Sequence, residues 1–188
     1  MADTANPAPL GLIGFGLTTV LLSSVNAGLI PATGQPVVIP LAMAFGGTAQ
    51  IIAGIMEFRT GNVFGATAFT SYGAFWWWYA LLTLLGHNNV LDISAAGPAI
   101  GVCLLLWGVF TFGLWISTFR LSRLLFLIFL TLWIAFFLLG GGAFLPSPML
   151  HTLGGWVGLL CGAMAMYGSF AIVTNATYGR EVVPVGSR

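Results

Sequence analysis

Long apolar runs, broken by short clusters of proline, glycine and polar residues, set the pattern of this chain. A helix that crosses a hydrocarbon core needs about 20 apolar residues at a rise of about 1.5 Å each. The breaks divide the chain into six such stretches, over about 10–30, 37–56, 63–85, 97–118, 121–144 and 149–174. Between them lie Pro31-Ala32-Thr33-Gly34-Gln35-Pro36, the charged Glu57-Phe58-Arg59, the polar Gly86-His87-Asn88-Asn89, the pair Arg120 and Arg123, and Pro146-Ser147-Pro148. The pattern predicts an all-α fold: an integral membrane bundle of six transmembrane helices. It forms a single domain over 1–188, with short tails at about 1–9 and 175–188 and no soluble domain.

The arginines test this count independently. With the N-terminus in the cytoplasm, Arg59, Arg120, Arg123, Arg180 and Arg188 all fall on the inner side and none on the outer. The positive-inside rule asks for this asymmetry, and merging or splitting one span would scatter the arginines to both faces. Both termini are therefore expected to be cytoplasmic. The leader over 1–9 has no Lys or Arg, so a cleavable signal is not expected and the first span is expected to be retained.

Composition narrows the function classes. Apolar residues make up 59% of the 188 and charged residues only 5%, far below the roughly 25% of soluble domains. No basic patch is large enough for nucleic acid. The chain has no Lys, which excludes Schiff-base and P-loop chemistry. No metal or cofactor is expected. Cys103 and Cys161 lie inside spans and lack metal-ligand neighbours at a useful spacing. Neither a G-x-S-x-G elbow nor H-E-x-x-H is present, so an enzyme is not expected, even with His151 available as a base.

No Asp, Glu, Arg or His sits at the centre of any span, where proton relays and voltage sensors need one. Glu57 lies at the cytoplasmic edge of the second helix and reads either as a proton site or as a salt bridge to Arg59. The spans carry amides and hydroxyls instead. Phe15, Thr18, Thr19 and Leu22 share one face of the first helix, Gln50 lies seven residues before Glu57, and Thr70 follows on the third helix. Such groups either bond between helices or line a path. Asn6 before Pro7 and Asn62 before the third helix read as caps at helix N-termini, ends that also attract anions. Gly154, Gly158 and Gly162 form a small-xxx-small row, while Gly46, Gly47 and Gly54 thin one side of the second helix. Trp76-Trp77-Trp78 reads as an interface anchor or a contact between protomers.

These residues resemble a known family. Asn6-Pro7-Ala8-Pro9-Leu10-Gly11-Leu12 is similar to the N-P-A-P-L-G-L signature of the acetate uptake transporters, the succinate–acetate permease family. Further blocks follow in the family's order: Gly46-Gly47-Thr48-Ala49-Gln50, Glu57, Gly61-Asn62-Val63-Phe64-Gly65, then Thr70-Ser71-Tyr72-Gly73, and Leu106-Trp107-Gly108-Val109-Phe110-Thr111. The resemblance implies six-helix protomers in a plasma-membrane hexamer, passing acetate and often succinate. It also implies a hydrophobic constriction, which maps onto Phe15, Tyr72 and Leu132.

A carboxylate crossing this bundle therefore meets amides, hydroxyls, dipoles and rings, with Asn6, Thr18, Thr19, Gln50, Asn62 and Thr70 as candidate path residues. Binding is expected to be weak and throughput high. A coupled proton is expected to travel on the substrate, with Glu57 as the only alternative carrier. The rival reading is a six-helix channel for small neutral solutes such as urea.

Overall fold

A computed structural model of the chain describes residues 5–186, and Arg188 lies outside the described residues. Its helices are α1 (Ala8–Asn26), α2 (Gln35–Leu41), α3 (Gln50–Thr60), α4 (Val63–His87), α5 (Gly97–Ser117), α6 (Arg123–Phe144) and α7 (Pro148–Tyr178). A 3-10 turn over Ala32–Gly34 and a π-helical segment over Ala42–Ala49 make 32–60 one continuous rod with α2 and α3. The chain is thus six rods, with no strand among the described residues.

Five rods are long and apolar enough to cross a membrane: Ala8–Asn26, Ala32–Thr60, Gly97–Arg120, Arg123–Phe144 and Pro148–Tyr178. The sixth, α4, has 25 residues, a length of about 37 Å at the helical rise. Its two Tyr, three Trp and several Thr and Gly dilute its hydropathy. Those polar rims face protein: Tyr72 and Trp76 are buried. Leu106, Val109, Phe112 and Ile116 of α5 are exposed, as an outer face solvated by lipid requires.

The rods close into a ring. Rod one packs along α7 and the second rod, α3 along α4, α5 along α6, and α6 along α7. Between α4 and α5 the contact is made by rings, with Trp107 centred 6.0 Å from Tyr72 and 5.3 Å from Phe75. The glycine row of α7 splits between two neighbours. Gly158 and Gly162 meet Ser23 and Gly16 of α1, while Gly154 meets Leu139 of α6; Gly155, outside the row, makes the closest approach to backbone, at Ala27 just past the end of α1.

Three boundaries differ from the sequence expectation. The run Pro31 to Pro36 is mostly helical rather than a loop: Pro36 sits in the first turn of α2, where its missing N–H has no partner to lose. The second rod is not a uniform helix. Pro40 lies inside α2, and the π-helical turn that follows lets Gly46 and Gly47 seat against Trp76 and Trp77. Finally, α7 runs to Tyr178, past the expected 174, and ends on Gly179 at φ +62°. Residues 182–186 then fold back: Val182 and Val183 donate their N–H groups to Asn175 Oδ1, the Tyr167 hydroxyl donates to the Pro184 carbonyl, and Arg123 N–H donates to the Gly186 carbonyl.

Candidate functional site

Two cavities enter the ring from opposite ends. The larger, about 740 Å³, opens where His87 and His151 stand and reaches down to Phe15, Phe75 and Leu132. The smaller, about 130 Å³, lies at the end that carries Arg59, Arg120, Arg123 and Arg180; Glu57, Asn62 and Ser122 line it, and its floor includes Leu12, Phe69 and Phe129. No residue lines both. On α1 the floors are three residues apart, Leu12 to Phe15, and on α6 Phe129 to Leu132. At the helical rise that is a septum of about 4.5 Å on these two helices, and about 9 Å on α4, where Phe69 lines one cavity and Phe75 the other.

Tyr72 sits in this septum and lines neither cavity. Its ring lies 5.9 Å from Phe15, 6.1 Å from Phe129 and 5.9 Å from Phe110, each in a tilted or edge contact that suits aromatic quadrupoles. Its hydroxyl donates to Thr111 Oγ1 at 2.9 Å, and Thr111 in turn donates to the Trp107 carbonyl at 2.7 Å. Phe15, Tyr72 and Leu132 are all buried. Of the three expected constriction residues, Phe15 and Leu132 line the floor of the larger cavity, and Tyr72 lies beneath it against the Phe15 ring. Thr111, which holds the tyrosine by its hydroxyl, was missed. Its position four residues after Trp107, in the last family-like block, was the available signal.

The other candidate path residues divide. Thr19 lines the larger cavity, and its hydroxyl has no partner among the described residues. Asn62 lines the smaller one and caps α4, its Oδ1 accepting from Gly65 N–H at 3.1 Å. Asn6 accepts from Ala8 N–H at 3.0 Å at the start of α1, and the cap position itself is Pro7. Thr18, Gln50 and Thr70 line neither cavity. Thr18 bonds back to the Gly14 carbonyl and packs on Gly46, and Thr70 packs on Gly54. Gln50 is buried beside Gly14, with neither amide atom partnered among the described residues. In the tryptophan run, Trp76 and Trp78 line the larger cavity, and Trp77 packs on Gly47.

Glu57 is buried, and it does not pair with Arg59. Its Oε2 accepts from Asn62 Nδ2 at 2.9 Å and from the Thr60 hydroxyl at 3.2 Å, while Arg59 is exposed and its guanidinium reaches Met56 Sδ. Two residues on, Arg59 faces the other side of the helix. The second oxygen, Oε1, is buried with no partner among the described residues. Leaving such an acceptor unmatched costs about 1–3 kcal/mol. The carboxyl can lie over the first turn of α4 because position 65 is glycine: a Cβ there would come within 2.8 Å of Glu57 Cδ and 2.7 Å of Asn62 Nδ2. Among the described residues, histidine and carboxyl groups are thus segregated, two histidines at the mouth of one cavity and one carboxyl in the other, with neither kind in the septum.

Comparisons with known proteins agree with this architecture. The model of the GPR1/FUN34/yaaH family matches residues 1–185. The succinate-acetate/proton symporter SatP of Escherichia coli is 42% identical over 97% of this chain and 95% of its own. Acetate permease A of Emericella nidulans is 38% identical over 96% of this chain and 65% of its own. The solved structure of the bacterial acetate channel SatP superposes with a TM-score of 0.93 at 41% identity, covering 98% of this chain and all of that one.

Proposed function

This chain belongs to the GPR1/FUN34/yaaH family of multi-pass membrane proteins, and we propose that it is a permease for small carboxylates, acetate first and succinate as a larger cargo. The observation that carries the reading is the pair of opposed cavities separated by about one to two helical turns of packed rings. A solute of two carbons has only the Phe15–Tyr72–Leu132 level to pass. Transport of acetate by the named relatives supports the choice of cargo.

The physical difficulty is charge. A carboxylate loses several kcal/mol or more of hydration on entering an apolar level. The septum holds no cation, and the Tyr72 hydroxyl is already committed to Thr111. Dehydration is therefore partial and brief, which favours weak binding and rapid passage over a tight site. In this reading the arginine-rich end and both termini face the cytoplasm of a cell's plasma membrane. Protomers assemble as a hexamer, with Leu106, Val109 and Phe112 among the exposed residues that lipid or a neighbouring protomer covers.

Proteoliposomes test the cargo. Labelled acetate is expected to cross at a protein-dependent rate at least about tenfold above that of labelled urea, since a site adapted to one polar pattern discriminates at that level or better. Urea flux equal to or above acetate flux would instead identify a neutral-solute channel.

A further inference from the structure

The smaller cavity contains a feature that passage through the septum does not explain. Glu57 Oε2 is engaged by Asn62 and Thr60, whereas Oε1 is buried, unpartnered and on the residue that lines the cavity. Among the described residues no other ionisable group lines this space from any side: α1 contributes Ala8 and Leu12, α7 Gly168 and Ile172, and the folded-back tail Val185. On its own helix the nearest charge, Arg59, faces outward to Met56; on α6, Arg123 is exposed. The volume of about 130 Å³ equals roughly four waters at ~30 Å³ each, the number of non-hydrogen atoms in acetate.

We infer that this cavity is a carboxylic-acid site in which Glu57 Oε1 and the carboxyl of the substrate hold one proton between them. Two carboxylates at hydrogen-bond distance cannot both be charged, so the pair retains a proton that neither would keep alone. The unpartnered oxygen gains its missing hydrogen bond, and no fixed cation is needed. Each acid that occupies the site therefore brings one proton and leaves with it, so the complete passage moves no net charge. The inference rests on carboxylate permeation; the relative SatP is named a succinate-acetate/proton symporter, and what is added for this chain is the residue that shares the proton with the cargo.

The test is initial uptake of labelled acetate into proteoliposomes, above protein-free vesicles, with pH and membrane potential varied separately. Wild type is expected to be indifferent to potential and to slow as pH rises. Glu57→Gln offers an amide donor to the bare anion, so its flux should lose most of its pH dependence and respond to potential, by up to about tenfold for ~60 mV. Asn62→Asp keeps the α4 cap, because Asp and Asn cap equally well. It also sets a second acid beside Oε2, so the pH midpoint should rise by about one unit. Wild-type flux that follows potential, Glu57→Gln with the wild-type pH profile, or an unmoved midpoint in folded Asn62→Asp each overturns the inference while acetate permeation stands. Wild-type vesicles that pass no acetate overturn both.

Discussion

Leu132→Ala is expected to shift the lactate-to-acetate flux ratio upward by about tenfold, with Phe15→Ala acting in the same direction. Both side chains are buried at the floor of the larger cavity, one on α6 and one on α1, and the Phe15 ring lies 5.9 Å from that of Tyr72. Truncating either removes bulk from the narrowest part of the path without adding a polar group. A pocket distinguishes cargoes that differ by one or two heavy atoms by about 1–3 kcal/mol, or 10–200-fold, so loss of one wall should cost a factor near the low end. Acetate itself should still pass. Competitive uptake of the two labelled acids into the same vesicles, per unit of incorporated protein, measures the ratio. An unchanged ratio in both variants would place the selective level elsewhere.

The second large effect concerns the ring rather than the path. Gly155→Ala should lower the melting temperature of the solubilised protein strongly or prevent its assembly. A Cβ at Gly155 would overlap the Ala27 N–H group and come within 2.6 Å of the Asn26 carbonyl carbon. Both are backbone, so relief requires α1 and α7 to separate, and overpacking of this kind typically costs about 1–3 kcal/mol or more. Gly113→Ala on α5 is the control, because a Cβ there meets nothing within 4 Å. Equal thermal stability of the two variants would contradict the close seating of these helices.

The sequence and the structure diverge where neighbours, not local pattern, decide. Six rods were legible from the spacing of Pro, Gly and charge, including α4, whose hydropathy alone is weak but whose breaks at Gly61-Asn62 and Gly86-His87 are clear. The π-helical turn was not legible, since it is stabilised by the fit of Gly46 and Gly47 to Trp76 and Trp77 on another rod. Phe15, Thr18, Thr19 and Leu22 make a stripe too broad to resolve from spacing. One residue is about 100° of rotation, enough to send Thr18 to the second rod while Thr19 reaches the cavity. For Glu57, sequence proximity pointed to Arg59, but the turn at Gly61, with φ +75°, brings Asn62 back over the carboxyl instead.

The central claim is that solute crosses each protomer between the two cavities through the ring-packed level. Thr19 offers the most direct probe: it lines the larger cavity just above that level, and its hydroxyl has no partner among the described residues. In a background with Cys103 and Cys161 both replaced by Ala, Thr19→Cys proteoliposomes should conduct acetate normally. After treatment with a bulky thiol reagent the flux should fall to that of protein-free vesicles. Complete modification of the cysteine with acetate flux unchanged would contradict a path through this cavity.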